Sequence, residues 1–226
     1  MIKNISNLGD AALYCDFGKE VSKEINSNVI NYFNNIKERN IVGVTNLIPS
    51  YNKLIITFDL SLIDYKKLKN EIKNVTPKAF DRSKSKIIKV PICCDKEFAL
   101  DIDRLQLRLE RSVEEIQKNF FSKDYFCYMT GFIAGMPFLG DVDKKLQIKR
   151  LETPRVKVPK GSVGITEQFC NIYTFESPGG WNIIGNTPIN IFDKLNTQNP
   201  ALIKPGDTVS FYKISKKEYE DLNERN

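Results

Sequence analysis

Three short stretches hold glycine, proline and a few large side chains at a density that regular secondary structure does not carry. They are GFIAGMPFLG at residues 131–140, TPRVKVPKGSVGI at 153–165 and ESPGGWNIIGNTP at 176–188. The first reads as a loop whose backbone adopts unusual dihedrals or approaches another group closely, with Phe132 and Phe138 as apolar walls. It serves either as a packing corner of a barrel core or as one side of a ligand site. In the third, Ser177, Pro178, Gly179 and Gly180 form a strong turn signal directly before Trp181, the chain's one tryptophan. That indole either plugs a barrel end or lines a ligand site. Arg155, set among prolines and valines, pairs with a carboxylate or binds an anion.

The chemistry open to these stretches is limited by one count: the 226 residues include no histidine. Serine–histidine and cysteine–histidine catalysis are therefore excluded within the chain, and so is the commonest metal ligand. Any reaction must use Asp, Glu, Lys, Arg, Tyr, backbone groups or a partner protein, and no metal site is expected. Cys15, Cys93, Cys94, Cys127 and Cys170 are an odd number in a scatter unlike a disulfide framework, and read as buried free thiols. The formal charge of +6 comes from lysines dispersed among acids, so no nucleic-acid partner is expected. No apolar run is long enough to span a bilayer and the first residues lack a secretory pattern, which places the protein in the cytoplasm with no membrane role. No Walker-type loop is present; GFIAGMPFLG has no Lys where a phosphate cradle needs one.

The elements that must position these stretches follow from periodicity. Residues 11–17 read as a strand, followed by a helix with Val21, Ile25, Val29, Phe33 and Ile36 as its buried stripe. Residues 41–48 and 53–58 form two strands joined at Pro49–Asn52. A second helix follows, carrying Tyr65, Leu68, Ile72 and Val75 on one face. With a strand at 87–92, the opening reads β-α-β-β-α-β, the order of a ferredoxin-like unit. The polar stretch 76–86, including DRSKSK, leads into that last strand and makes the boundary imprecise.

Beyond it, Ile102, Leu105 and Leu109 mark a helix, and Ser112 with Glu115 opens another through a capping box. From residue 125 the pattern changes to YFCYMT, GSVGIT, NIYTF, WNIIG, TPINIF and DTVSFYKI, short strands punctuated by Gly and Pro that imply a β-barrel or sandwich. Residues 216–226 read as a surface helix or a frayed tail.

In this order and spacing, the three dense stretches resemble the PxpB/KipI family, which includes the B-type component of 5-oxoprolinase, the kinase A inhibitor and allophanate hydrolase subunit 1. The matching positions are Gly131, Phe132, Gly135, Pro137, Leu139, Gly140 and Asp143, then Thr153, Pro154, Arg155, Val158, Pro159, Gly161, Ser162, Val163 and Ile165. Gln168, Ile172, Tyr173, residues 177–181, Ile184, Gly185, Thr187 and Pro188 complete them. Residues 9–18, 43–51, 91–103 and 204–214 share the likeness, so it spans nearly the whole chain. The chain departs from the family at Phe120, where a histidine is usual, at Ala134 in place of a loop proline, at Asn186 in place of arginine, and at Cys94, Asp95 and Lys96.

The resemblance implies an α+β fold: an N-terminal ferredoxin-like domain over residues 1–90 followed by a cyclophilin-like β-barrel domain over 91–226. It implies a non-autonomous subunit of an ATP-dependent 5-oxoprolinase that opens 5-oxoproline to glutamate, with PxpC-like and PxpA-like partners and ATP used by the complex. Alternatives are KipI-like inhibition of a sporulation histidine kinase, or a subunit of an allophanate/urea-type amidohydrolase. The expected substrate site at the barrel mouth comprises Arg155 as anion holder, Gln168, Tyr173, Gly131, Phe132, Gly135, Pro137, Phe138, Ser177, Gly179, Gly180 and Trp181, for a carboxylate or amide group.

Overall fold

The structure, a computed structural model, describes residues 1–77 and 85–225 and divides into two compact units, 1–84 and 85–226. Part of the polar stretch at 76–86 lies outside the described residues.

In the first unit, strands β1 (Asn4–Asn7), β2 (Ala12–Asp16), β3 (Val44–Pro49) and β4 (Lys53–Phe58) form an antiparallel sheet in the order β1-β2-β4-β3. Helix α1 (Lys23–Arg39) starts at Ser22, whose side chain accepts from the Ile25 N–H, and ends at Asn40 in the left-handed conformation. The expected stripe is broader than five residues: Val29 and Ile36 are buried together with Asn26, Ile30 and Tyr32, Ile25 and Phe33 are partly covered, and Val21 precedes the helix. Helix α2 (Tyr65–Lys73), capped by Asp64, buries Leu68 and Ile72, with Val75 packed just past its end. The sheet and both helices share one apolar core.

Here the structure corrects the sequence reading. The strand expected to close this unit, β5 (Ile87–Cys93), belongs to the second unit, where it pairs in parallel with β13 (Thr208–Ile214). The edge place beside β2 is taken instead by β1. Its sequence, NISN, buries a single side chain, Ile5, so apolar alternation gives it almost no signal.

The second unit is a closed seven-stranded barrel in the order β10-β7-β6-β13-β5-β12-β9. The members not yet given are β6 (Tyr125–Thr130), β7 (Pro137–Gly140), β9 (Ser162–Thr166), β10 (Phe169–Ile172) and β12 (Asn182–Asn186). Between β5 and β6 come α3 (Ile102–Leu109) and α4 (Val113–Phe121); the expected capping box of Ser112 and Glu115 opens α4 with both reciprocal bonds made. A two-stranded ribbon, β8 (Arg155–Val158) with β11 (Ser177–Gly179), stands apart from the barrel ladder. The final helix α5 (Lys216–Asn223) has its own capping box on Ser215 and no buried residue.

Two further expectations change. The second half of GFIAGMPFLG is not loop but the wall strand β7. TPINIF forms no strand beyond an isolated bridge from Phe192 to Ala201, because Pro188 offers no N–H and the Thr187 N–H is taken by the Gly161 carbonyl.

Strand alternation sorts the barrel's side chains into two sets. Val90, Ile92, Cys127, Leu139, Val163, Ile165, Cys170, Ile172, Ile184, Val209 and Phe211 meet in one interior cluster together with residues of α3 and α4. The opposite set faces outward. At the strand starts, Asp207 fixes the closure, accepting from the Lys86 and Lys204 backbone N–H groups at 3.0 and 2.8 Å.

All five cysteines are free and buried, and burial pushes the Cys15 and Cys94 thiols up to about 12. A thiolate forms only as pH rises through the thiol's pKa, so near pH 8 these groups stay protonated and inert. A thiol-specific chromogenic reagent should therefore label fewer than about one cysteine per native chain and all five once the chain is unfolded. Rapid labelling of the native chain would contradict the packing described.

Candidate functional site

A cleft of about 350 Å³ lies where the three glycine- and proline-rich stretches come together. The first contributes Phe132, Met136 and Phe138, the second Pro154, and the third Pro178, Gly179, Gly180 and Trp181; Arg150, Asn171 and Tyr173 complete the lining. Its position differs from the expected barrel mouth. Phe138 on β7, Asn171 on β10, Gly164 on β9 and Ile183 on β12 are successive cross-strand partners, and all have the outward parity. The cleft therefore lies against the outer wall of the barrel, under a small separate cluster of Met136, Val158, Tyr173 and Ile183 with Ile133 and Phe138 beside it.

The hollow depends on Gly164. A Cβ there would lie 2.9 Å from Asn171 Oδ1 and 2.9 Å from Trp181 Cβ, so any other residue at this point of the row would intrude on the lining. Phe138 and Trp181 meet edge to face across it, with ring centroids 5.6 Å apart. Gly179 has a similar role at the ribbon: a Cβ on it would overlap the Tyr173 hydroxyl.

The loops are held in place by backbone and amide bonds. Thr174 Oγ1 donates to the Ala134 carbonyl at 2.7 Å, and the Gly131 N–H donates to the Met136 carbonyl at 3.0 Å, which fixes the first loop. Phe132 sits there with φ +67°, a conformation uncommon for a large residue, and is 68% exposed. On the far side, the Leu151 N–H donates to the Gly180 carbonyl, and Asn182 Nδ2 donates to the Lys149 and Ile165 carbonyls. Arg150 is thus held from both flanks, with no ion pair to its guanidinium among the described residues.

Arg155 has a different place from the one expected. Its guanidinium grips Asp101 with two bonds, Nη1–Oδ2 at 3.0 Å and Nη2–Oδ1 at 2.6 Å. Asp101 is 5% exposed and also accepts from the Ile183 N–H at 2.7 Å, while its own N–H donates to the Ile183 carbonyl. This ion pair fastens the ribbon to β12 and to the start of α3. Arg155 is therefore spent on a carboxylate and does not line the cleft, where the cation is Arg150.

Of the other expected site residues, Phe132, Phe138, Tyr173, Gly179, Gly180 and Trp181 line the cleft. Gly131, Gly135, Pro137 and Ser177 belong to its supporting segments: Gly135 packs against Phe192, Pro137 begins β7, and Ser177 is buried in the ribbon. Gln168 lies in the β9–β10 turn, at the opposite end of β10 from Tyr173, with its carbonyl taking the Val142 N–H.

Sequence reasoning missed Arg150 and Asn171. Asn171 carried a usable signal, a lone polar residue at outward parity between the interior-facing Cys170 and Ile172. Arg150, next to Lys149 in an exposed segment, carried none.

The lining is short of proton acceptors. Its titratable side chains are Arg150 and Tyr173. Burial raises the Tyr173 hydroxyl, an effect partly opposed by the nearby Asn171 amide and Trp181 backbone. Among the described residues there is no cluster of three or more Cys, Asp or Glu able to hold a metal ion, and no helix long and apolar enough to cross a membrane.

With this geometry in hand, comparison places the chain among known proteins. The family described as carboxyltransferase domain, subdomain C and D, matches residues 3–203. The chain is similar to the B-type component of 5-oxoprolinase from Bacillus subtilis, 31% identical over 233 residues, which cover 97% of this chain and 96% of that protein. It is similar in the same degree to the corresponding 5-oxoprolinase component of Haemophilus influenzae, 31% identical over 92% of this chain and 96% of that one. The solved structure of the K. lactis urea amidolyase shares the fold, with a TM-score of 0.83 at 23% identity; the match covers 98% of this chain and 15% of that much longer one.

The ion pair gives a direct test. Arg155→Ala leaves the buried Asp101 carboxylate with only a backbone partner, and should lower stability by about 3 kcal/mol in denaturant unfolding. Arg150→Ala, which breaks no ion pair among the described residues, should leave the midpoint within about 0.5 kcal/mol. Equal midpoints for the two variants would refute the division of roles.

Proposed function

The chain belongs to the carboxyltransferase domain, subdomain C and D, family, within the PxpB/KipI group, and from that premise we propose that it is the B-type subunit of an ATP-dependent 5-oxoprolinase. On this reading the outer-wall cleft receives the cyclic amide, and PxpC-like and PxpA-like partner subunits complete the reaction. The finer fold names go with it: a ferredoxin-like first unit with β1 at its edge, and a cyclophilin-like barrel.

The observation that carries the proposal is a cleft equipped to bind but not to take a proton. Aromatic walls and an amide suit a small planar ligand, and Arg150 suits its carboxylate. Opening a lactam, however, needs a water deprotonated and an amide nitrogen protonated. Arginine stays protonated in proteins, and the Tyr173 hydroxyl is raised further from neutrality. The base therefore comes from another subunit. A lactam is also resonance-stabilised, so activation of its oxygen by phosphoryl transfer from ATP is the chemistry a partner would add. Nothing in this chain has the glycine-rich loop with Lys that cradles phosphates, so ATP is assigned to the complex.

The test is reconstitution with the candidate partners, ATP and 5-oxoproline, following glutamate as it forms. Omitting this chain should abolish the product. Arg150→Ala should raise KM for 5-oxoproline by about tenfold or more, the worth of a charge-assisted contact. Glutamate formation at full rate without the chain would reject the proposal.

A further inference from the structure

Two asparagines in the strands of the barrel, Asn171 on β10 and Asn182 on β12, are fully buried. They differ in one respect. Asn182 is satisfied at both ends: its Nδ2 donates to the Lys149 and Ile165 carbonyls, and its Oδ1 accepts from Arg104 Nε at 2.9 Å. Asn171 is 0% exposed, yet neither its Oδ1 nor its Nδ2 has a hydrogen-bond partner. The Tyr173 hydroxyl is near enough to feel the amide but outside hydrogen-bond geometry. An unsatisfied buried carboxamide costs about 1–3 kcal/mol per polar group, and such groups are rare enough to need a reason. The neighbour across β9 is Gly164, where a Cβ would lie 2.9 Å from Asn171 Oδ1, so no side chain at that position could supply the missing partner.

We propose that Asn171 is the cleft's receptor for a cis amide, the arrangement found in lactams and ureas. A primary carboxamide presents one acceptor and one donor side by side on the same edge. Its complement is a planar group that presents a donor and an acceptor at the same spacing. A cis amide does this, with N–H and C=O on one edge, so that Oδ1 accepts the ligand N–H while Nδ2 donates to the ligand carbonyl. An open-chain secondary amide holds those two groups on opposite sides and reaches only one of the atoms. A carboxylate has two acceptors and no donor, which leaves Oδ1 unpaired. Interchanging the nitrogen and oxygen of Asn171 leaves one donor and one acceptor, so the complement is unchanged.

The surroundings fit such a ligand. Phe138 and Trp181 flank Asn171 and Gly164 in the outer row and meet edge to face, providing apolar walls for a small ring. Asn171 forms the floor, so a ligand reaches it by parting the Phe138–Trp181 contact. This makes Trp181, the chain's sole tryptophan, a reporter of occupancy.

This inference takes from the proposed function only that the cleft is a ligand site, and its test needs neither ATP nor partners. Trp181 fluorescence is titrated with 2-pyrrolidinone, a lactam without a carboxylate, and with N-methyl-2-pyrrolidinone, which keeps the ring and carbonyl but has no N–H. The first should give a saturable change; the second should bind at least about tenfold more weakly, the worth of one hydrogen bond to a buried partner. Asn171→Asp, checked for native circular dichroism, should lose 2-pyrrolidinone binding. Because Asp at a buried position can compromise folding, the comparison of the two ligands on the unaltered chain decides the matter by itself. No saturable response to 2-pyrrolidinone, or equal affinity for both lactams, would overturn the inference. If lactam binding holds while reconstitution yields no glutamate, the ATP-coupled reading fails and the cis-amide receptor stands.

Discussion

A seven-stranded barrel is narrow enough for its own side chains to fill. Here the interior set, from Val90 on β5 to Phe211 on β13, meets in one continuous cluster with residues of α3 and α4. Those side chains occupy the interior. The cleft is built on the outside of the wall, where strand residues face water unless something covers them. That constraint explains the three irregular stretches. Each runs into a wall strand, and their remaining parts lie over one patch of wall, where the Asp101–Arg155 pair, with the Ile183 backbone as its third partner, pins the ribbon down.

How this reads from sequence depends on what each residue's signal is made of. The strands YFCYMT, GSVGIT and WNIIG were legible because they are short apolar runs that Gly and Pro punctuate. The capping box before α4 was legible because it is a local reciprocal pair. Strand β1 was not, since an edge strand burying only Ile5 leaves no pattern. Nor was the assignment of β5 to the barrel, because a strand's apolar run says that it is buried without saying which sheet buries it. Its partner β13 is more than a hundred residues away.

The candidate site divides along the same line. Glycine, proline and aromatic density identified Phe132, Phe138, Tyr173, Gly179, Gly180 and Trp181, because backbone freedom and flat walls are written in residue type. The charges were misassigned. Arg155 and Arg150 are the same residue five positions apart, and what separates them is a carboxylate folded in from α3's start. Asn171 and Asn182 make the same point in neutral form: one is an open receptor and the other a fully satisfied strut. Partnership is a long-range property, and only the assembled wall supplies it.

The absence of histidine then has a structural counterpart. A side chain that titrates near neutrality would be poorly placed against this wall, where burial suppresses charge, as the raised Tyr173 hydroxyl shows. What the wall can offer instead is geometry that does not change with pH: an amide edge, two aromatic faces and a guanidinium that stays charged. Such a surface recognises a planar neutral group well and cannot by itself move the proton that breaks it. On the proposed reading, binding and proton transfer fall to different chains, a division of labour that a site on the outside of a full barrel would favour.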